Sequence, residues 1–185
     1  MPTGKPHVSV FIATSLDGFI ARPDGGLDWL ERANADVPPG EDCGYQAFMA
    51  SVDVLVMGRL TYEKVLSFGE WPYAGKRVIV LSSRKQVRPA PYPEVVESSN
   101  ESPRQLLARL HAEGCRHVYL DGGLTIQGFL REGLVDELTI TSIPILLGSG
   151  RPLFGPLSTD IPFRLQASRS FAFGFVQNTY RRSTS

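Results

Sequence analysis

Four short apolar runs constrain this chain more than any other feature: Val8 to Ala13, Asp53 to Met57, Arg77 to Leu81 and His117 to Leu120. Each is nearly continuous in β-branched and aliphatic residues and is bounded by turn formers. A strand with one wet face alternates polar with apolar, so unbroken runs predict strands covered on both faces. Helical spacing lies between them. Gln105 to Leu110 follows Ser102-Pro103, an N-cap with proline at the first helical position, and Gly114 marks the end of that helix. Leu124 to Arg131 reads as a second short helix stopped by Gly133. Strands alternating with helices predict an α/β fold with a largely parallel central sheet. The last third departs from this rhythm. Glu137 to Leu147 is a long β-rich run, and Phe163 to Arg182 holds two more strands with no helix between them. A turn at Ser168 to Ser170 would make that last pair antiparallel. The prediction is a mixed, mostly parallel sheet with an antiparallel C-terminal edge.

The rest of the composition narrows the function. Nineteen Lys plus Arg balance nineteen Asp plus Glu over 185 residues, and the formal net charge is zero. A duplex-binding protein carries a basic excess to neutralise phosphates, so the sum argues against nucleic acid as partner. With 42% hydrophobic and 21% charged residues the chain reads as a globular domain, expected to be one unit over 1–185. Its length allows folding to bury roughly 70% of the unfolded surface without disulfide staples. Cys43 and Cys115 form no CxxC pair and read as small buried residues in a reducing compartment. The apolar stretch after Lys5 is too short for a signal peptide, and no run approaches the roughly 20 residues of a membrane helix, so a cytoplasmic location is expected. Two loops, Arg22 to Leu27 (RPDGGL) and Val37 to Gly44 (VPPGEDCG), separate the first two strands without being long enough for domain linkers. Binding loops of open α/β sheets lie beyond the carboxyl ends of strands; solvated turns are the plainer reading of each loop taken singly.

The strand ends carry the chemistry. Four times an apolar strand runs into small or basic residues before a turn or helix: ATSLDGFIA (13–21), MGRLTYE (57–63), LSSR (81–84) and LDGGLT (120–125). Glycine at a strand-to-helix turn lets backbone approach a ligand, and a helix start offers free N–H groups to phosphate. The helix starts at Arg59 and Leu124 suit the two ends of a pyrophosphate. Ser82, Ser83, Arg84 and Arg59 suit a terminal phosphate, which arginine clamps bidentately. A dinucleotide with a 2′-phosphate, NADPH, would use them; no GxGxxG fingerprint is present.

The segments SLDGFIA, VLVMGRLTYE, VIVLSSR, VYLDGGLTIQGFL and LVDELTITSIPILLGSG, in that order from Val8 to Thr179, resemble the dihydrofolate reductase-like superfamily. Within it the chain is most similar to the branch of the reductase domain of the riboflavin-biosynthesis deaminase–reductase. The zinc deaminase signature, HxE with PCxxC, is absent from the sequence. The resemblance implies an eight-stranded mixed sheet flanked by helices in a three-layer fold that binds NADPH. It assigns Ala13, Asp17 and Ile20 to the cofactor, with Ala13 and Ile20 flanking the nicotinamide through their backbones. Gly58, Arg59 and Thr61 would contact phosphate, and Ser82, Ser83 and Arg84 would surround the adenosine ribose and its 2′-phosphate. Gly122, Gly123, Leu124 and Thr125 would cradle the pyrophosphate, the glycine pair joined in that family by a strained cis peptide. By the same analogy the protein is a homodimer.

For the proton donor, the folate enzymes suggest an acid upstream of MGR. Asp42, with Glu41 beside it, and Asp28 of GGLDWL are equal candidates, and Trp29 is a candidate substrate contact. Thr141 would bond the substrate or the acid if it faces inward; its plainer reading is a buried strand threonine satisfied by neighbours. Two motifs are set aside. His111-x3-Cys115-x-His117 lacks a further zinc ligand and spans a helix-to-strand connection. Phe171-Ala172-Phe173-Gly174-Phe175 resembles an aromatic platform for nucleic acid, but alternating aromatics on a strand more often fill one face of a core. The expected activity is hydride transfer from NADPH to a C=N or C=O of a small heterocycle, a ribosylaminopyrimidine or a dihydropterin. A non-catalytic nucleotide-binding or dimer-forming module on the same fold is the alternative.

Overall fold

The computed structural model describes residues 4–83 and 95–183. Its centre is an eight-stranded sheet. In chain order the elements are β1 (His7–Ser15), β2 (Phe19–Ala21), α1 (Asp28–Asn34), α2 (Tyr45–Ser51), β3 (Val54–Gly58), α3 (Arg59–Leu66), β4 (Arg77–Leu81) and β5 (Val96–Ser99). They continue with α4 (Pro103–Ala112), β6 (His117–Asp121), α5 (Gly123–Arg131), β7 (Glu137–Ile143), β8 (Arg151–Pro152), β9 (Phe163–Ser170) and β10 (Val176–Arg182). The sheet order is β5-β4-β3-β6-β1-β7-β10-β9. The pairs from β5 to β7 are parallel, and β10 joins both β7 and β9 antiparallel. The mixed sheet, its covered parallel centre and its antiparallel C-terminal edge are as the apolar runs predict.

Register explains why those runs do not alternate. Val8, Val10, Val54, Val56, Ile79, Val118 and Leu120 pack with Leu106, Leu107 and Leu110 of α4 and with Ile126 and Phe129 of α5. The other face of the same strands, Leu55, Met57, Val78, Val80 and Tyr119, packs with Tyr62 and Val65 of α3 and Phe48 of α2. Helix α4 begins as read: Ser102 accepts from Gln105 N–H while the Gln105 side chain accepts from Ser102 N–H, a reciprocal capping box with Pro103 behind it.

Three expectations change. The strand expected to reach Leu147 stops at Ile143, because Pro144 follows and Ile145 N–H turns back onto Ile143 O at 2.7 Å. The last hairpin turns at 171–175 and not at Ser168 to Ser170, with Phe171 N–H donating to Phe175 O and Gly174 at φ 98°. The three phenylalanines are therefore the tip of the hairpin, not strand residues. Phe171 and Phe175 are buried there with Trp29 and Ile143 in a third, smaller core. Finally, Cys43 and Cys115 are free thiols, each half-buried and not fully buried.

Candidate active site

Having laid β3, β4 and β5 outward, the chain returns to insert β6 between β3 and β1. Sheets that reverse direction this way open a crevice at the carboxyl ends of their strands. Two turns meet there. Gly58 ends β3 and caps α3; Gly122 follows the end of β6 and caps α5, at φ 92°. Neither helix start has a side-chain cap, and no side chain among the described residues takes a first-turn N–H of either helix. The turns interlock. Thr125 Oγ1 lies 3.1 Å from where a Cβ on Gly58 would stand, and Thr61 Oγ1 lies 2.3 Å from the equivalent point on Gly122. Close approach and a positive φ thus require glycine at 122, Gly58 stands in tight contact with Thr125, and two donor-bearing helix starts sit side by side. This is the arrangement a pyrophosphate fits.

The other predicted cofactor residues fall around this cradle. Ile20 belongs to the small antiparallel ribbon of β2 with β8. That ribbon lies over Gly123, whose Cβ would meet Pro152 O at 3.0 Å and Ile20 Cδ1 at 3.1 Å. Arg59 points along α3 and pairs with Glu63 at 2.7 Å. Leu124 is exposed, and Thr125 is buried. Ser82 N–H is bonded to Ser99 O and Ser83 is exposed beyond β4; Arg84 lies outside the described residues. The Asp17 carboxylate is engaged by the protein itself. It accepts from Ser15 Oγ (2.6 Å), Gly148 N–H (2.7 Å) and Leu147 N–H (3.1 Å), and the Ser15 hydroxyl, with those amides, holds it down to about 2. Asp17 ties the β1–β2 turn to the loop after β7.

Beside the cradle opens a cavity of about 550 Å³. Its floor is Phe11, Ile12 and Ala13 of β1 with Thr141 and Ile143 of β7; its walls are Leu30, the 37–43 loop, Tyr45 and Phe175. Ala13 pairs with Thr141, and Thr141 with Gln177. Thr141 is inward-facing as the register requires, and its Oγ1 accepts from Gln177 Nε2 at 2.9 Å, which leaves the hydroxyl hydrogen for another acceptor. Trp29 is 1% exposed and stands behind the wall, against Ile143 and Phe175; its indole N–H has no partner among the described residues.

The two predicted acids differ from a proton donor in the same way. Asp28 is gripped by Arg22 (2.5 and 2.9 Å) and Arg32 (2.6 Å), which hold its carboxyl at about 2, and it lies outside the cavity wall. Asp42 does line the cavity, in a loop and not on a helix. It accepts from Gln46 N–H (2.7 Å) and Gly44 N–H (2.8 Å) at the start of α2, and these amides lower its pKa.

The opposite shift belongs to Asp121, the last residue of β6, in register with Met57 of β3. Burial pushes its carboxyl above the usual carboxylate range, against the lowering effect of Gly122 N–H (2.8 Å) and Tyr73 OH (3.3 Å). Tyr119 and Phe11, joined by Tyr119 OH donating to Phe11 O at 3.1 Å, lie on the same face of the sheet. Tyr45, which lines the cavity, is raised to about 12 by burial and by the nearby Asp121 charge. Asp121 therefore lies on the same face of the sheet as Tyr119, at the end of β6 and next to Gly122 of the cradle, without itself lining the cavity. The sequence carried the signal, since LDGG ends an apolar strand in a carboxyl, but there the aspartate reads only as a lead-in to the glycines.

Set against known proteins, the geometry has clear counterparts. The model of the RibD C-terminal domain matches residues 6–176. The uncharacterised protein YwjB of Bacillus subtilis is 38% identical over 166 residues, 88% of this chain and 90% of that protein. A crystal structure from Shewanella sp. PV-4, provisionally described as a riboflavin biosynthesis protein, superposes with a TM-score of 0.90 at 45% identity, covering 96% of this chain and 99% of that one. At the level of fold alone, dihydrofolate reductase of Enterococcus faecalis, complexed with NADP(H), superposes with a TM-score of 0.64 at 18% identity over 96% of this chain and 97% of its own. The chain belongs to the RibD C-terminal domain family and shares the fold of dihydrofolate reductase.

Proposed function

We propose that this protein is an NADPH-dependent reductase that reduces a C=N or C=O bond of a small heterocycle, a ribosylaminopyrimidine or a dihydropterin. One observation carries the reading: two helix starts without side-chain caps share a glycine cradle, and the buried carboxyl of Asp121, which ends β6, lies next to it. Bound NADPH supplies the hydride. Gly58, Arg59, Thr61 and the Gly122–Thr125 turn hold its phosphates, with Arg59 exchanging Glu63 for phosphate. Ser82, Ser83 and Arg84 take the adenosine ribose and its 2′-phosphate. The backbones of Ala13 and Ile20 flank the nicotinamide, and Asp17 shapes the turn between them. Asp121 delivers the proton: burial favours its neutral form, and Tyr73 and Gly122 N–H fix its rotamer. Thr141 donates its free hydroxyl hydrogen to the substrate. Asp42 and Asp28 stay ionised and hold the walls, and Trp29 stiffens them from behind.

Titration with NADPH and NADH, followed by nicotinamide fluorescence, tests the cofactor assignment; binding of neither overturns it. Asp121→Asn should bind NADPH normally and lose turnover on dihydropterin and ribosylaminouracil substrates, about 10²-fold or more for a lost general acid. Unchanged turnover removes Asp121 from the mechanism, and NADPH binding without oxidation in wild type favours a binding module. We also propose a homodimer through β9, an outer strand with seven of eight residues exposed and no neighbour on its outer side among the described residues. Sedimentation should give twice the chain mass of 20.3 kDa; the single mass refutes it.

A further inference from the structure

Gln127 is buried, 9% exposed, in a stretch of α5 whose other buried side chains are apolar apart from Thr125. A buried amide needs partners at both of its ends. Gln127 Nε2 donates to Pro152 O at 3.1 Å and to Leu153 O at 3.3 Å, the last carbonyl of β8 and the next one. Two carbonyls accept only from the nitrogen, so the amide has one orientation. Its oxygen lies against Gly155, where a Cβ would stand 2.5 Å from Oε1 and 2.9 Å from Cδ; glycine at 155 makes room for the amide.

These bonds join two parts of the site. Gln127 lies one helical turn along α5 from Gly123, the point of the cradle over which the β2–β8 ribbon passes with Pro152 O and Ile20 Cδ1 closest. Leu153 N–H donates to Gly18 O at 3.0 Å, so the hold on β8 is passed to the turn that leads into β2. Among the described residues no other side chain of α5 bonds the ribbon. We infer that Gln127 is a positioning residue for the cofactor: it fixes the height of the ribbon above the cradle and, through Ile20, the room left for the nicotinamide end. The inference rests on the reductase reading, with NADPH bound at the cradle. A glutamine that served the fold alone would support every part of the cofactor equally.

Gln127→Met keeps length and helix propensity and removes both bonds. Calorimetric titration compares NADPH with the 2′-phosphate of ADP-ribose, which lacks the nicotinamide. Wild type should bind NADPH more tightly. The substitution should weaken NADPH about tenfold, as for the loss of one or two neutral hydrogen bonds, and change the shorter ligand by less than about twofold. In the ligand-free protein, exchange of the Leu153 amide should quicken about tenfold, while that of Ile126, bonded to Gly122 O at 2.9 Å within α5, stays within about twofold. Should Gln127→Met fail to fold, Gly155→Ala crowds the amide from its other side and should move the same readouts in the same direction. Equal weakening of both ligands, no weakening of NADPH, or unchanged exchange at Leu153 overturns the inference. Equal affinity of wild type for the two ligands also overturns it and leaves the cofactor reading standing; wild type that binds neither ligand overturns both.

Discussion

Replacing Gly122 by alanine probes the interlocked turns most directly. The residue sits at φ 92° and ψ 133°, outside the region side chains tolerate, and strain of this kind costs about 1–3 kcal/mol. The new methyl would also stand 2.3 Å from Thr61 Oγ1 and 3.3 Å from Thr61 Cβ, and overpacking costs about 1–3 kcal/mol more. The sum is a destabilisation of about 2–6 kcal/mol, enough to lower the melting temperature of a chain this long by roughly 4 °C at the least. The two parts can be separated. Thr61→Ala removes the nearer contact but leaves the dihedral, so Gly122→Ala in the Thr61→Ala background should cost about 1–2 kcal/mol less than in wild type. Urea unfolding of the four proteins completes the cycle. If Gly122→Ala unfolds within about 0.5 kcal/mol of wild type, or if the coupling is absent, the glycine is not there for close approach and the reasoning about the cradle fails.

Two further outcomes concern the scaffold. Ser102→Ala removes the α4 capping box and should cost about 1 kcal/mol, read as a shift in urea midpoint at unchanged slope; a shift beyond error in slope would point to the denatured state instead. His117 donates from Nδ1 to Ser51 O (3.0 Å) and accepts from Ser9 at Nε2 (2.8 Å), and its burial beside His7 lowers its pKa below 6.5. The unfolded chain then binds a proton that the native chain resists, so this contribution to stability is complete above about pH 6.5 and declines as pH falls below it. Urea midpoints from pH 7.5 to 5.5 should fall less steeply in His117→Gln than in wild type, and equal slopes would refute the assignment.

The parallel half of the fold is legible because its strands are covered on both faces, and unbroken apolar runs such as Val54 to Met57 have few other uses. The last hairpin is less so. Phe171 to Phe175 alternates like a strand, yet Gly174 at positive φ and the attraction of Trp29 make it a tip that packs sideways. Helix α2 has no strong cap in its sequence; its start is defined by Asp42, which reads as a loop acid because its partners, Gly44 and Gln46 amides, exist only once the helix forms. The proposed proton donor is hidden for a related reason. Asp28, Asp42 and Asp121 are the same residue type, and only burial and partners part them: two are held low by arginines or amides and one is pushed up. The partners of Asp28 and Asp42 are near neighbours in the chain, two to six residues away, but which of them close on the carboxyl is set only by the folded loop; the burial that raises Asp121 comes from the assembled sheet, where Tyr73, 48 residues away, also reaches it.

The cradle and the cavity wall are made by different kinds of chain. The cradle consists of strand ends and helix starts that also carry the core, so Gly122 cannot vary without disturbing the turn that joins β6 to α5 against Thr61 of α3. The wall consists of the 37–43 loop and the 171–175 hairpin tip, which meet across the cavity and contribute little to the sheet. An evolving lineage can therefore rewrite the wall by loop substitutions while inheriting the cradle intact. Diversification within such a lineage should be sought in those two short segments, where new specificity is cheapest to acquire.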